Sequence, residues 1–122
     1  MVLTEDNNDA RYQIKSIASG EIKINDEIYT NSVIITPNKL TLNWSPHSAD
    51  QITDADLLLL LETQPEVILI GTGERSVILP AKKIAVLLEK QYHVECMNTA
   101  AACRTYTILA AEGRKVAAGL IL

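Results

Sequence analysis

The run Val67-Ile68-Leu69-Ile70, stopped by Gly71-Thr72-Gly73, constrains this chain more than any other feature. Its consecutive apolar residues leave no polar face. A strand of this kind must be covered on both sides, as in a parallel sheet packed between helices. A sheet with one wet face would place a polar residue at every second position. The rest of the chain must therefore supply covering elements for two faces.

The sequence after it does so. Pro80 suits the first position of a helix, whose apolar stripe is Ile84, Leu87 and Leu88. His93-Val94-Glu95-Cys96-Met97 reads as the next strand. Asn98 or Thr99 caps a third helix through about Ala111, with Gly113 as its stop. Residues 116–122 form a closing apolar strand. Ahead of Val67, Thr53 is an N-cap, and Asp54 and Asp56 complement the helix dipole in the first turn. Residues 57–61 are all Leu and read as a helix apolar on most sides and buried between neighbours, ended by Gln64-Pro65.

Residues 12–44 carry the opposite pattern. Ile14 and Ile17, then Ile22, Ile24 and Ile28, are separated by Gly20 and by Asn25-Asp26, a turn pair that tolerates left-handed backbone. Val33-Ile34-Ile35 ends at Pro37-Asn38, and Leu40, Leu42 and Trp44 alternate beyond it. The expected structure there is a meander of short antiparallel strands. The whole is thus expected to be α/β and three-layered. A mixed, mostly parallel central sheet carries helices, and the N-terminal half adds a layer of short antiparallel strands. Residues 1–122 read as a single domain, with 1–11 a flexible N-terminal segment.

Charge and composition exclude several classes. Eleven basic residues against fifteen acidic ones give a net charge of −4, and no Lys/Arg cluster exceeds Lys82-Lys83. A nucleic-acid binder needs a basic stripe to neutralise phosphates, so no nucleic-acid partner is expected. Met1 to Arg11 has no basic n-region and no apolar h-region, unlike a secretory signal, and is too acidic for a transit peptide. The longest apolar runs, 57–61 and 116–122, are too short to span a bilayer, so no membrane insertion is expected. The expected location is cytoplasmic, and Cys96 and Cys103 fit a reducing compartment as free thiols.

No motif carries an evident reaction. Gly71-Thr72-Gly73-Glu74-Arg75-Ser76 begins like a dinucleotide fingerprint, but Ser76 stands where the third glycine belongs. Val77-Ile78-Leu79 also separates the glycines from the helix. A tight turn after a buried strand accounts for it. The alternative is a backbone cradle for an anion beyond the carboxyl ends of the strands, where the start of the third helix would face the same crevice. Gly71, Thr72, Gly73, Arg75, Asn98 and Thr99 are the candidate ligand-binding residues of that reading. The two cysteines are seven positions apart and in no CxxC, so neither zinc nor dithiol redox chemistry is expected. The helix dipole at Cys103 could lower a thiol pKa, but its apolar stripe partners favour a buried structural role. His47 and His93 have no ligand-spaced companions, so no metal is expected. The serines lack a nucleophile-elbow context. Trp44, just before Pro46, fits either the rim of the core or a surface anchor for a partner.

The second half resembles a known family. The carrying residues are Ile70-Gly71-Thr72-Gly73, Pro80, the segment Val94-Glu95-Cys96-Met97-Asn98-Thr99-Ala100-Ala101-Ala102-Cys103-Arg104-Thr105-Tyr106, Glu112-Gly113-Arg114, and the small-apolar tail from Val116 to Ile121. It is similar to the small single-domain proteins, of unknown function in bacteria and archaea, that are grouped with mitochondrial complex I assembly factor three. The segment 95–106 is the specific part. In that family an Asn follows the aromatic of the third helix, and here the place is Thr107. Cys103 falls where the family is expected to vary, which argues against a catalytic thiol. The resemblance implies a three-layer α/β fold with a mixed central sheet, no established enzymatic activity, and a protein-assembly role in mitochondrial relatives. No cofactor is expected.

Two functional classes follow. The first is a non-catalytic protein-interaction or assembly factor whose partner is another protein. The second is a small-molecule or anion-binding protein, with enzymatic activity open, using the crevice between the Gly71-Thr72-Gly73 turn and the Asn98-Thr99 helix start. Self-association through the strand-rich start, giving a homo-oligomer, is a further expectation.

Overall fold

The computed structural model describes residues 10–122, so the expectation of a flexible 1–11 segment falls mostly outside the described residues. Its last residue, Arg11, is tied down: its N–H donates to the carbonyl of Pro37 at 2.8 Å. Eight strands are formed among the described residues: β1 Ile14–Ala18, β2 Glu21–Ile24, β3 Glu27–Tyr29, β4 Val33–Ile35, β5 Leu40–Leu42, β6 Val67–Gly71, β7 His93–Met97 and β8 Val116–Leu120. The α-helices are α1 Asp54–Leu59, α2 Ala85–Leu88 and α3 Thr99–Ala111.

The strands build two sheets, one of order β1-β2-β3 and one of order β5-β4-β8-β6-β7. In the larger sheet β6 pairs in parallel with β7 and β8, while β4 pairs antiparallel with β5 and β8. The sheet is therefore evenly mixed, not mostly parallel. The expected N-terminal meander is also divided: β1–β3 form the small sheet, and β4–β5 enter the central one. The reason lies in Val33-Ile34-Ile35, which are all buried. Like Val67-Ile68-Leu69-Ile70, this is a run without alternation, and it needs both faces covered.

Side-chain alternation along the central strands sorts the interior into two cores. Val33, Ile35, Val67, Leu69, Val116, Ala118 and Leu120 point to one face, where they meet Ile22 and Ile24 of the small sheet and Ala102, Tyr106 and Ala110 of α3. Ile34, Ile68, Ile70 and Ile121 point to the other face and meet Leu57 of α1, Leu60 at its C-cap, Ile84, Leu87 and Trp44. The chain thus crosses from β6 to β7 over one face and returns from β7 to β8 over the other, as right-handed crossovers require.

α1 begins where the sequence predicts. Thr53 Oγ1 accepts from the Asp56 N–H at 3.2 Å, and Asp56 Oδ2 accepts from the Thr53 N–H at 2.9 Å. This reciprocal pair is a capping box. The helix is not buried on all sides, however: Leu57 and Leu60 are interior, while Leu58 and Leu59 stand exposed. It lies on the outside of one sheet face, so only the residues three apart find cover. Similarly, the segment after Pro80 is a 3-10 turn, Ala81–Ile84, running into the single-turn α2, and Leu88 is exposed.

Trp44 is 2% exposed, and its indole N–H donates to the Asp56 carbonyl at 3.1 Å. A partner cannot reach it, so it is a core residue and not a surface anchor. Its ring lies on Gly119: a Cβ there would come within 2.6 and 2.8 Å of two ring carbons. The glycine in β8 is the space that the tryptophan fills.

Candidate functional site

The chain leaves β6 toward α2 and leaves β7 toward α3, on opposite faces of the sheet. Ligands in open α/β sheets sit in the crevice that such a divergence opens. Here the two turns close that crevice upon each other. The Thr72 N–H donates to the Met97 carbonyl, the Thr99 N–H to the Gly73 carbonyl, and the Gly73 N–H to Thr99 Oγ1, each at 2.8 Å. Thr99 Oγ1 then donates to the Ile121 carbonyl at 2.5 Å, which ties in the end of β8. Gly71 permits this approach, since a Cβ on it would stand 2.8 Å from Thr99 Oγ1 and 3.0 Å from the Thr99 Cα.

The remaining polar groups are also engaged locally. The Thr72 hydroxyl is 2.6 Å from the Arg75 carbonyl and 3.1 Å from that of Met97, and it accepts from the Val77 N–H at 3.2 Å. Asn98 Oδ1 accepts from the Ala101 N–H at 2.8 Å, the N-cap bond of α3. Five of the six sequence-predicted residues are thus brought together: Thr72, Gly73 and Thr99 bond one turn to the other, Gly71 leaves room for the approach, and Asn98 caps α3 beside them. Arg75 is the exception. Its side chain is exposed and has no hydrogen-bond or ion-pair partner among the described residues.

A cavity of about 250 Å³ opens beside these turns. Gly73, Glu74, Asn98 and Thr99 form one wall, and Ser19 and Gly20 of the β1–β2 turn form the opposite one. The Ser19 hydroxyl bonds the Glu74 carboxylate across the rim. Gly71, Thr72 and Arg75 are not among the lining residues. Sequence reasoning missed Ser19 and Gly20, whose only visible signal was a break between two strands. Gly20 adopts a φ of 74°, which a tight hairpin turn needs.

No thiol is poised for chemistry. Burial pushes Cys103 up to about 12, against a small opposing pull from Arg104, and burial raises Cys96 as well. A high pKa leaves little thiolate, the reactive form. Among the described residues no group of three or more His, Cys, Asp or Glu is arranged to hold a metal ion. Among the described residues no helix is long and apolar enough to cross a membrane. The surface also carries one apolar protrusion that sequence reasoning passed over: in the loop after Gly73, Ile78 is 92% exposed and Val77 is exposed beside it. The signal was Val77-Ile78-Leu79 itself, an apolar run with no strand to pair with.

Comparison with known proteins places this architecture. Residues 14–121 match the family described as "Protein of unknown function (DUF498/DUF598)". The chain belongs to this family. It is 31% identical over 123 residues to the 13 kDa major membrane protein of Francisella tularensis, covering 99% of each chain. It is 34% identical over 94 residues to NADH dehydrogenase (ubiquinone) 1 alpha subcomplex assembly factor 3 of Danio rerio, covering 77% of this chain and 54% of that protein. The chain thus spans about half the length of that assembly factor. Among solved structures, a Bordetella pertussis protein described as a Mth938-like domain superposes with a TM-score of 0.79 at 30% identity, covering 98% of this chain and 91% of that one.

Proposed function

We propose that this member of the family is a non-catalytic protein-interaction domain, acting in the assembly of a larger complex. The carrying observation is the contrast at the carboxyl end of the sheet. The turn amides and hydroxyls are bonded to one another, while Ile78 and Val77 stand in solvent a few residues away. A single Ile side chain left almost fully exposed forgoes about 2 kcal/mol of burial, which a partner surface would recover. The assembly-factor name of the relatives supports the same reading. This reading has the protein act in the cytoplasm, and fractionation of its native cells tests that.

The test is co-purification of the tagged chain from its own cells, beside tagged Ile78→Asp. The expected result is a stoichiometric partner retained by the parent and lost by the variant, with both melting at the same temperature. Equal retention by both, or no partner above the untagged control, overturns the reading.

The cavity supports a second reading, a small-molecule or anion site. Gly73, Asn98 and Thr99 line it as the ligand hypothesis requires, whereas Gly71, Thr72 and Arg75 would act only by shaping the turns. A thermal-shift screen against anions, nucleotides and metabolites tests it. A ligand at 100-fold over its Kd stabilises by about 2.7 kcal/mol. A shift abolished by Ala100→Leu, which fills the cavity, would favour this reading; a flat screen would leave the interaction domain.

A further inference from the structure

A second surface is built quite differently from the Val77-Ile78 loop. β1 is an edge strand of the small sheet, paired only with β2 among the described residues. A groove of about 430 Å³ runs between it and α3. On the strand side, consecutive residues 14–17 all line the groove. Ile14 and Ile17 are half-buried against the core while Lys15 and Ser16 between them are exposed, so the strand shows the groove its edge as well as its side chains. Among the described residues nothing pairs with the backbone N–H and C=O groups of that edge, and no hydrogen bond joins them to α3.

The helix side is a stripe. Ala100, Cys103, Arg104, Thr107 and Ile108 follow the spacing of one helical face. It is rotated from the face that Ala102, Tyr106 and Ala110 send into the core. Ile108 on this stripe is 60% exposed. A groove with an unpaired strand edge on one side and a partly apolar helix face on the other is the geometry that accepts an added strand.

Charge selects the occupant. Among the described residues, the charged ones lining the groove are Lys15 and Arg104, both cations in a chain of net charge −4. Among the described residues neither is matched by a carboxylate: Lys15 Nζ lies 3.2 Å from Gln13 Oε1, and the Arg104 side chain makes no hydrogen bond or ion pair. A second copy is a poor occupant. Pairing β1 with β1 would bring these cations together, and like charges facing each other oppose it.

We propose that the groove between β1 and α3 binds an extended acidic segment of a partner protein, which adds a strand to the edge of β1. Its alternate apolar side chains lie along Ile14, Ile17 and Ile108, and its carboxylates face Lys15 and Arg104. Residues 14–17 span about 13 Å as a strand, enough to register a four-residue core of such a segment.

A displayed library of random ten-residue peptides, selected on the intact chain, supplies the probe. The expected binders carry Asp or Glu beside alternating apolar residues. Their affinity drops at least tenfold in Arg104→Glu, drops again in Ile108→Asp, and weakens with added salt. Amide exchange slows at residues 14–17 when they bind. Ile78→Asp binds them as the parent does, which separates this site from the loop. Failure to select binders, binding indifferent to both groove variants, or protection mapping elsewhere would overturn the proposal. So would concentration-dependent self-pairing through β1. Both substituted positions are exposed, and a melting curve for each variant confirms that it is folded.

Discussion

At the scale of single residues, two positions hold more than their size suggests. Gly119 faces the ring of Trp44, whose two nearest carbons would lie 2.6 and 2.8 Å from an added Cβ. The ring cannot retreat, because its N–H is held by the Asp56 carbonyl and it is fully packed. Gly119→Ala is expected to destabilise by about 1–3 kcal/mol, the range for overpacked cores, measured by urea titration. Thr99 is the other. Its hydroxyl satisfies the Gly73 N–H and the Ile121 carbonyl in a buried place. Thr99→Val keeps the shape and orphans both groups, at about 1–3 kcal/mol for each one left unsatisfied. Thr99→Ser is expected to recover most of that, and equal losses in the two variants would refute the bonding role. Cys103 carries a pH signature. Burial pushes its thiol from the ordinary value of 9.0 up to about 12. A raised pKa means the folded state holds the proton longer, so this contribution is complete below pH 9 and is lost as pH rises toward 12. Cys103→Ala should flatten the alkaline limb of the stability curve, read by denaturant midpoints from pH 8 upward.

At the scale of elements, the caps were the most legible feature. Thr53 and Asn98 both cap as their residue types predict, and each bond is worth about 1 kcal/mol. Asn98→Ala should therefore cost about that much in denaturant midpoint. Asn98→Asp should cost nothing or stabilise, because a carboxylate also complements the dipole of α3. The buried strand at Val67 and the closing strand at Val116 were equally clear, since runs without alternation admit one environment. What the sequence concealed was partnership. Val33-Ile34-Ile35 has the same signature as Val67-Ile68-Leu69-Ile70, but its place after alternating strands disguised it as one more turn of a meander. The leucine run misled for a related reason: an unbroken apolar string has no visible face, and only the neighbours decide that Leu57 and Leu60 go inward. The candidate site was half visible. Gly73, Asn98 and Thr99 carry turn and cap chemistry in their residue types, whereas Ser19 and Gly20 reach the cavity only through the packing of the small sheet on α3, which no local pattern encodes.

At the scale of the whole molecule, the two cores share one sheet. Neighbouring residues serve opposite sides: Ile34 and Ile35 in β4, Ile68 and Leu69 in β6. Neither core can dissolve while the other persists, because the strands that floor one also floor the other. The chain should therefore unfold in a single cooperative step, as small domains commonly do. Trp44 is the one tryptophan and sits in the core beneath α1, so its fluorescence reports that side alone. Far-UV circular dichroism reports both. The two urea transitions are expected to coincide in midpoint and slope. Leu57→Ala on one side and Ile22→Ala on the other should each lower stability by about 2–5 kcal/mol, and their double variant, with no shared contacts, should lower it by the sum. An early dichroism transition that leaves Trp44 fluorescence unchanged would mean that the β1–β3 sheet peels away as its own unit. In that event the groove along β1 would open and close with it, and peptide binding there would be linked to folding of the small sheet.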